Sequence, residues 1–449
     1  MPALFRQHWF FILLLCLISI FYFAGINQVP FHPDESTFLF MSAEFERILD
    51  NPFDLTWDNS KHITPIMRYR MIDAPLARYL VGFSRSLLSQ PGGKTDWDWG
   101  RTWEENDRAG ALPAPSTLLT GRLAIASLFP LSLVLIYLVG NRLQGRFSGV
   151  AAVLVFSFNP LILLHTRRVM AEGLLVFAVL LVLFALFYAD RYPFLAGLAV
   201  GLAFNAKHSA VLFFPVGLLA AGWINNTLAG YSRRVILNLL RYTTGFLLLV
   251  FLLNPFLWRD PISAAQTALA QRQELIALQL VDYERIAPAQ LLDNPLKRAA
   301  VTVAQVYIAP PTFAETGNYL ENTSSSVSDY LDNPGNNLGR QVWAAGMLIA
   351  LTLFGLFIMV RTIIAGDSWK RRDAVLYLVS FLTILGGITL LIHLAWQRYY
   401  LPLIPFIALF SGLGLAWGIK TSRDLFNHGR LSARLSEILA QFAPDSRVS

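Results

Sequence analysis

The sequence predicts an all-α polytopic membrane protein with about ten transmembrane helices. Hydrophobic residues make up 55% of its 449 residues and charged residues only 14%, whereas soluble domains carry about 25% charged residues. The apolar residues cluster into runs close to the ~20 residues that an α-helix needs to cross a bilayer. These runs lie at 8–26, 117–140, 147–165, 171–189, 193–208, 209–224, 236–256, 341–363, 374–394 and 399–419. Only the polar stretch "NAKHSA" (205–210) separates the two runs within 193–224.

The first apolar run, "WFFILLLCLISIFYFAG" at 9–25, is expected to be an uncleaved transmembrane helix. A cleaved signal peptide is the alternative, but only Arg6 supplies a basic start and no clear A-x-A site follows the run. The one cysteine, Cys16, lies inside this run. The sequence therefore excludes an internal disulfide, a cysteine-based zinc site and a CxxC redox pair.

Basic residues predict the orientation, because Lys and Arg concentrate in the cytoplasmic loops of multi-pass proteins. With both termini in the cytoplasm, the short inner loops contain Arg142, Arg146, Arg191, Arg233, Arg234, Lys370, Arg371 and Arg372. The short outer connections contain only Arg167, Arg168, Lys207 and Arg398. The net charge of +7 fits this distribution. Because no basic tract is interleaved with aromatic residues, the charge does not indicate nucleic-acid binding.

Two long segments, 27–116 and 257–340, are predicted to face outward. In the first, apolar residues recur at helical spacing over 38–49 and 76–88, which predicts amphipathic helices in the membrane interface. Arg78 and Arg85 fall on the polar face of the second helix. The loop at 91–113 contains Trp97, Trp99 and Trp103, for which packing within the loop is favoured over stacking on sugar rings.

Polar residues from distant parts of the chain are predicted to meet at the outer face. They lie in "HPDE" (32–35), "KHITPIMRYRMIDAPLARY" (61–79), "HTRRVMAEG" (165–173), "NAKHSA", "NPFLWRD" (254–260) and "HLAWQRYYLPLIP" (393–405). Ionisable groups at a membrane are costly and indicate a functional site. A carboxylate can accept a proton from an attacking hydroxyl, and Arg or Lys can bind a departing phosphate. This combination favours transfer from a phosphate-linked donor; a transporter or flippase, the alternative, would carry charges within its spans.

Several of these motifs, in this order, resemble those of GT-C membrane glycosyltransferases. The motifs are "HPDE" after the first span, "DAPLARYL", "GRLAIASLFPLSLVLIYLVGNRLQGRFSGVAAVLVFSFNPLILLHTRRVMAEG", "GLAFNAKHSA" and "QRYYLPLIPF". The resemblance covers most of 1–260 and 390–420, and is to the branch with aminoarabinose transferases, protein O-mannosyltransferases and Rgt-type transferases. It implies a GT-C fold and an inverting hexosyl or pentosyl transfer from a polyprenyl-phosphate sugar on the outer side. "DAPL" departs from the two prolines common in the family.

The resemblance also implies roles for individual residues. Asp34 matches the family's acidic residue after the first span, its usual base, and Glu35 and Glu172 match its other acidic positions. The candidate catalytic residues are therefore Asp34, Glu35 and Glu172, and the candidates for binding the donor phosphate are Lys207, Arg398, Arg167, Arg168 and Arg70, with Lys61 beside them. The acceptor, whether protein, lipid or glycan, is expected to be recognised by 27–116 and 257–340.

Each candidate has a purely structural alternative. Asp34 could cap the helix that follows it, and Glu35 and Glu172 could stabilise helix N-termini. Arg167 and Arg168 could reach lipid headgroups, and Arg398 could be an interface anchor. His165 could join Asp34 and Glu172 in a divalent-metal site, but no ligand spacing demands one, so metal dependence is left open.

The predicted organisation follows from these spans and segments. It consists of a first transmembrane helix (1–26), an outer catalytic loop (27–116), a transmembrane core (117–256), a second outer loop (257–340), C-terminal transmembrane helices (341–419) and a cytoplasmic tail (420–449).

Overall fold

The computed structural model describes residues 2–60, 62–224, 227–228, 233–314, 317 and 319–441. Among these, side chains are described between residues 9 and 423, except at 227–228. Lys61, a predicted phosphate contact, lies outside the described residues, as does the end of the predicted tail, 442–449.

The described residues form a helical bundle with one short hairpin. The α-helices are α1 (Pro2–Ala24), α2 (Pro33–Met41), α3 (Glu44–Asp50), α4 (Pro65–Ile72), α5 (Leu76–Leu87), α6 (Trp103–Ala109), α7 (Pro115–Ala126), α8 (Leu128–Gln144), α9 (Arg146–Ser157), α10 (Pro160–His165), α11 (Ala171–Leu186), α12 (Pro193–Ala206), α13 (Phe213–Gly222), α14 (Arg233–Leu253), α15 (Pro261–Ile286), α16 (Pro295–Val303), α17 (Leu320–Asp332), α18 (Val342–Ala365), α19 (Ser368–Leu391) and α20 (Ile404–Gln441). Strands β1 (Trp223–Ile224) and β2 (Thr227–Leu228) pair antiparallel.

The predicted membrane spans are confirmed as apolar helices. Within the described residues, the helical stretches long and apolar enough to cross a membrane are Trp9–Gln28, Pro115–Gln144, Arg233–Leu253, Val342–Ala365, Ser368–Leu391 and Gln397–Arg423. The shorter apolar stretches Arg146–Ser157, Ala171–Leu186, Pro193–Ala206 and His208–Gly222 account for the other predicted spans. The chain is thus a multi-pass membrane protein. Lys207 separates α12 from the 3-10 helix His208–Leu212 that leads into α13, as the polar stretch predicted.

Proline sets the start of many of these helices. Pro33, Pro65, Pro115, Pro160 and Pro193 each occupy one of the first helical positions. Proline is well tolerated there, because the first amides of a helix have no partner within it. Pro160 divides an apolar run that otherwise reads as continuous, so that the predicted span 147–165 is α9 followed by the short α10.

The core lies where α8, α9, α11, α12 and α20 pack together. Helix α11 is apolar around its circumference, and most of its residues are buried. Close helix contacts depend on glycine: a Cβ built on Gly355 of α18 would lie 1.9 Å from the Phe410 carbonyl oxygen of α20. Likewise, a Cβ on Gly197 of α12 would lie 2.0 Å from the Tyr242 carbonyl oxygen of α14. Small residues let membrane helices approach closely in this way.

The interfacial helices of segment 27–116 differ from the prediction in two respects. The apolar pattern over 38–49 is divided between α2 and α3. Arg78 and Arg85, predicted on a polar face, are only 2% exposed. The physical reason is the acidic surface of α3: Arg78 lies 2.9 Å from Glu44 and Arg85 lies 3.0 Å from Glu46. Ion pairing therefore buries the side of α5 that a helical wheel assigns to solvent.

Segment 257–340 is joined to the connection between α19 and α20. The amide of Leu292 donates to the His393 carbonyl (2.8 Å), and the amide of Ala395 donates to the Gln290 carbonyl (3.0 Å). Both long segments and the 3-10 helix Gln397–Leu403 therefore meet at one end of the bundle, which we call the loop-rich end. At the other end, α20 continues as a helix to Gln441, well past the predicted span end at 419.

Candidate functional site

The HPDE corner folds as a capped helix start. His32 is the N-cap of α2: its Nδ1 accepts a hydrogen bond from the Asp34 amide (3.1 Å), and Glu35 accepts one from the His32 amide (3.1 Å). This reciprocal arrangement is a capping box in which a histidine takes the place of Ser or Thr. His32, not Asp34, therefore performs the capping that the structural alternative assigned to Asp34. The Asp34 carboxylate takes no part in capping α2.

Asp34 forms an ion pair with Arg398. The Arg398 Nη1 donates to the Asp34 carboxylate, which joins α2 to the 3-10 helix Gln397–Leu403, 364 residues away in the chain. The Asp34 side chain is 23% exposed and that of Arg398 is 11% exposed. Such an arginine–carboxylate hydrogen bond is charge-assisted and directional, so each group fixes the other.

Glu172 forms a second ion pair with Lys207. The Lys207 Nζ lies 2.8 Å from Glu172 Oε1. Glu172 is the second residue of α11, and Lys207 follows α12 directly. Arg398 and His165 also lie close enough to Glu172 to interact with its charge. Asp34, Glu172, Lys207 and Arg398 therefore form one group of charges, which we call the ionic cluster.

Glu35 occupies a different environment from its neighbour Asp34. It is fully buried and accepts hydrogen bonds from Arg122 Nε (2.8 Å), Arg122 Nη2 (2.8 Å) and the Val169 amide (2.9 Å), besides that from His32. Burial by itself raises the pKa of the Glu35 carboxyl, but the Arg122 guanidinium, together with the charge of Arg168 and the hydrogen bond from the Val169 amide, outweighs burial and holds that pKa below its usual range. Glu35 thus fastens the corner to α7 and to the loop that precedes Glu172.

The other three predicted basic or histidine positions near Glu172 are buried. His165 ends α10 and has no exposed surface. Arg167 donates to Asn336 Oδ1 (3.2 Å), and its guanidinium carbon lies 4.9 Å from the centre of the Tyr22 ring. Arg168 donates to the carbonyls of Pro30 (3.3 Å) and Phe313 (3.0 Å). Arg167 therefore ties α1 to segment 257–340, and Arg168 ties the residues just before HPDE to the same segment, so neither reaches outward to headgroups.

Arg70, a predicted phosphate contact, is placed in the interior network of α3. Its Nη2 lies 2.7 Å from Glu44, and the two side chains are 4% and 3% exposed. Glu44 also binds Arg78, so this carboxylate serves two arginines between α3, α4 and α5. The structure gives Arg70 a role in packing these helices together, apart from the ionic cluster.

Two acidic residues that sequence reasoning did not select lie close to Asp34. Asp73, at the end of α4, interacts electrostatically with Asp34, Lys207 and Arg272 of α15, and burial raises the pKa of its carboxyl. Asp96 accepts hydrogen bonds from Thr37 (2.6 Å) and the Trp97 amide (2.8 Å), and burial raises its pKa as well. Asp73 lies in the stretch 61–79 that was predicted to reach the outer face, so the signal was present in a stretch from which only basic residues were selected as candidates.

The loop tryptophans divide into two groups. Trp97 and Trp103 pack against each other (5.6 Å between ring centres) and against Phe31, as the packing interpretation predicted. Trp99 is 44% exposed and lies 6.5 Å from the His32 ring and 6.0 Å from the Tyr319 ring. It therefore presents an aromatic face to solvent beside the HPDE corner.

The arrangement does not fit a metal site built on Asp34, Glu172 and His165. In the part of the chain that the structure describes, no group of three His, Cys, Asp or Glu side chains is placed to hold a metal ion. The carboxylates of Asp34 and Glu172 instead bind Arg398 and Lys207. A divalent ion would have to displace a positive charge from each of them.

The fold is that of known membrane glycosyltransferases, although neither a family model nor a curated protein matches the sequence. The archaeal oligosaccharyltransferase AglB from Archaeoglobus fulgidus, solved with an inhibitory peptide and a dolichol-phosphate, superimposes with a TM-score of 0.51 at 14% identity over 98% of this chain. The same enzyme solved with Zn and sulfate gives 0.50 at 14% identity over 96% of this chain. ArnT from Cupriavidus metallidurans, bound to undecaprenyl phosphate, gives 0.47 at 13% identity, covering 98% of this chain and 67% of ArnT.

The likeness to the oligosaccharyltransferase establishes the fold alone. The chain spans about half the length of the oligosaccharyltransferase, 55% and 51% in the two structures. The predicted all-α GT-C fold is confirmed at this level.

Proposed function

We propose that the protein is an inverting glycosyltransferase that moves a sugar from a polyprenyl-phosphate donor to an acceptor at the outer face of the membrane. The observation that carries the proposal is the ionic cluster, in which two carboxylates and two cations from four separate segments meet at the loop-rich end. The GT-C fold supports a transferase. The lipid donor is supported by the dolichol-phosphate of the structurally similar oligosaccharyltransferase.

In the proposed reaction, Lys207 and Arg398 bind the donor phosphate. Arg398 presents a planar fork of donors and Lys207 a compact charge. Both stabilise the negative charge that develops on the phosphate oxygen as the bond between the anomeric carbon and that oxygen breaks. The departing polyprenyl phosphate keeps the bonding electron pair and stays in the bilayer by its lipid tail.

Asp34 is the proposed general base. It accepts the proton of the acceptor hydroxyl as that oxygen attacks the anomeric carbon from the face opposite the phosphate. A single displacement of this kind inverts the configuration at the anomeric carbon. Glu172 stands beside Lys207 and Arg398, where it orients the two cations and the incoming acceptor.

Donor binding would change the partners within the ionic cluster. In the structure each cation is neutralised by a carboxylate: Arg398 by Asp34, and Lys207 by Glu172. A phosphate that takes over both cations therefore competes with the two carboxylates. Its arrival would free Asp34 to accept a proton, so the base becomes available only when the donor is in place.

The distribution of basic residues supports an outward-facing site. The basic residues of the short loops at the opposite end of the bundle would lie in the cytoplasm by the positive-inside rule. There Arg142 binds Asp373 (2.7 Å) and Arg372 binds Asp190 (2.7 Å). In this arrangement the segments 27–116 and 257–340 form the outer surface that recognises the acceptor.

The proposal is tested by incubating purified protein in nanodiscs with a panel of polyprenyl-phosphate sugars and candidate acceptors. Release of free polyprenyl phosphate together with a glycosylated acceptor of inverted anomeric configuration is expected. The same protein in sealed vesicles distinguishes the transporter alternative. Transbilayer movement of the intact lipid-linked sugar, without release of polyprenyl phosphate, would contradict the transferase.

A further inference from the structure

We propose that Trp396 and Tyr399 are positioning residues, which hold Arg398 and Lys207 in place while these cations exchange carboxylate partners for the donor phosphate. The inference rests on the proposed function and adds two residues to its site. Both residues lie within two positions of Arg398, whose structural alternative was that of an anchor in the membrane interface.

Each of the two rings faces one of the two cations. The guanidinium carbon of Arg398 lies 4.7 Å from the centre of the Trp396 ring, and Lys207 Nζ lies 5.3 Å from the centre of the Tyr399 ring. Both distances are within the range of cation–π attraction. The rings lie 5.2 Å apart at 32°, so one aromatic surface supports both cations.

The local backbone explains why the two rings adjoin. Trp396 immediately precedes the 3-10 helix Gln397–Leu403, and Tyr399 lies three residues further on. In a 3-10 helix, residues three apart lie on the same face. Arg398 lies between them in sequence, and its side chain folds back over Trp396 to reach Asp34.

The aromatic surface formed by Trp396 and Tyr399 is held in place by contacts from outside the 3-10 helix Gln397–Leu403. Trp396 is 8% exposed and packs against Tyr283 of α15, with 5.7 Å between ring centres. Gln397 donates to Gln305 Oε1 (3.0 Å) and to the Pro310 carbonyl (3.0 Å). Trp396 is therefore packed inside the protein, whereas Trp343 of α18 is 90% exposed.

This aromatic surface suits a site in which the cations exchange one bound anion for another. The attraction between a ring and a cation depends on the ring's quadrupole and is independent of which anion occupies the cation's other side. When a phosphate displaces Asp34 and Glu172, the rings remain. They keep both cations directed at the same point, which limits the ordering that donor binding would otherwise require.

The test is the affinity of the nanodisc-embedded full chain for undecaprenyl phosphate. Fluorinated tryptophans placed only at position 396 weaken the ring quadrupole without changing its size. Successive fluorination is expected to raise Kd stepwise, to about three- to tenfold overall, and to raise the donor KM while kcat changes little. Tyr399→Leu should raise Kd similarly, whereas Tyr399→Phe, which keeps the ring, should bind within about twofold of wild type.

Trp343→Leu is the matched control, because it removes a tryptophan that is 90% exposed rather than packed against one of the two cations, and it should bind as wild type does. A Kd that stays constant along the fluorination series would overturn the inference, as would Tyr399→Phe losing as much affinity as Tyr399→Leu. Wild-type protein that binds no undecaprenyl phosphate would overturn the proposed donor itself.

Discussion

Replacing Glu172 with glutamine should tighten the binding of polyprenyl phosphate. This outcome is specific to the exchange of partners, because loss of a residue that directly binds the ligand would weaken binding. Lys207 Nζ lies 2.8 Å from Glu172, whose side chain is 3% exposed, and the lysine is 25% exposed. Two unit charges about 4 Å apart attract by about 4 kcal/mol at an effective dielectric constant of about 20.

Only part of that attraction opposes the ligand, because both groups regain other interactions when they separate. Taking about a third of it, the carboxylate would disfavour phosphate binding by ~1.4 kcal/mol, which corresponds to about a tenfold change in Kd. Glu172→Gln should therefore bind undecaprenyl phosphate about tenfold more tightly than wild type, although sugar transfer should slow because the acceptor is less well oriented.

The assay is a titration of the nanodisc-embedded protein with undecaprenyl phosphate. Glu274→Gln is the control: Glu274 lies 3.7 Å from Arg68 on the outer helix α15 and is 55% exposed, so its removal should leave Kd unchanged. A Glu172→Gln variant that binds the lipid phosphate as wild type does, or more weakly, would refute the competition between carboxylate and phosphate.

Two further predictions concern acidic residues next to the ionic cluster. Glu35→Gln leaves the Arg122 guanidinium buried without its counter-charge and should lower the free energy of unfolding by about 3–5 kcal/mol. Thermal unfolding checks this, and Asp293→Asn is the control whose effect should be small, because Asp293 and its partner Lys297 are 71% and 38% exposed. Asp73→Asn should raise the melting temperature at pH 7. Because burial raises the pKa of Asp73, the folded state binds the proton more tightly than the unfolded state, so stability falls as pH rises between the two pKa values. The gain from Asn should disappear as pH falls below that window, and a gain that persists in acid would contradict this reasoning.

The membrane-spanning architecture could be predicted because bilayer thickness imposes a length on apolar runs. Lys207 and His208 also marked the boundary between α12 and α13 correctly. The breaks within runs, such as that between α9 and α10 at Asn159 and Pro160, depend on where a proline falls within an otherwise apolar stretch. Hydropathy alone does not report them.

The sequence predicted that the residues of the ionic cluster lie at a shared face, but not which carboxylate pairs with which cation. Counting spans shows which helix ends lie together, whereas the pairing of Asp34 with Arg398 depends on how α2 packs beside the helix at 397–403. The side chains of Asp34 and Glu35 lie in different environments for a geometric reason. Consecutive helical residues point about 100° apart, so one carboxylate faces the cluster and the other enters the interior.

The buried arginines show the main limit of pattern reasoning. Arg78 and Arg85 were assigned to a polar surface because a helical wheel represents one helix at a time. Their partners lie on α3, some thirty to forty residues earlier in the chain. Arg168 is buried for a related reason, since it donates to the carbonyls of Pro30 and Phe313, groups that every sequence contains and that no pattern distinguishes.

The most direct test of the account is the rate of sugar transfer by Asp34→Asn, measured with its lipid-phosphate affinity in the same preparation. We expect transfer to fall by about 10²- to 10⁴-fold, the usual contribution of a general base, while undecaprenyl phosphate still binds at least as tightly as to wild type. Asp58→Asn is the matched control, because Asp58 is 28% exposed and pairs with Arg259 at 3.1 Å, and it should transfer at the wild-type rate. Full-rate transfer by Asp34→Asn would contradict the assignment of Asp34 as the base.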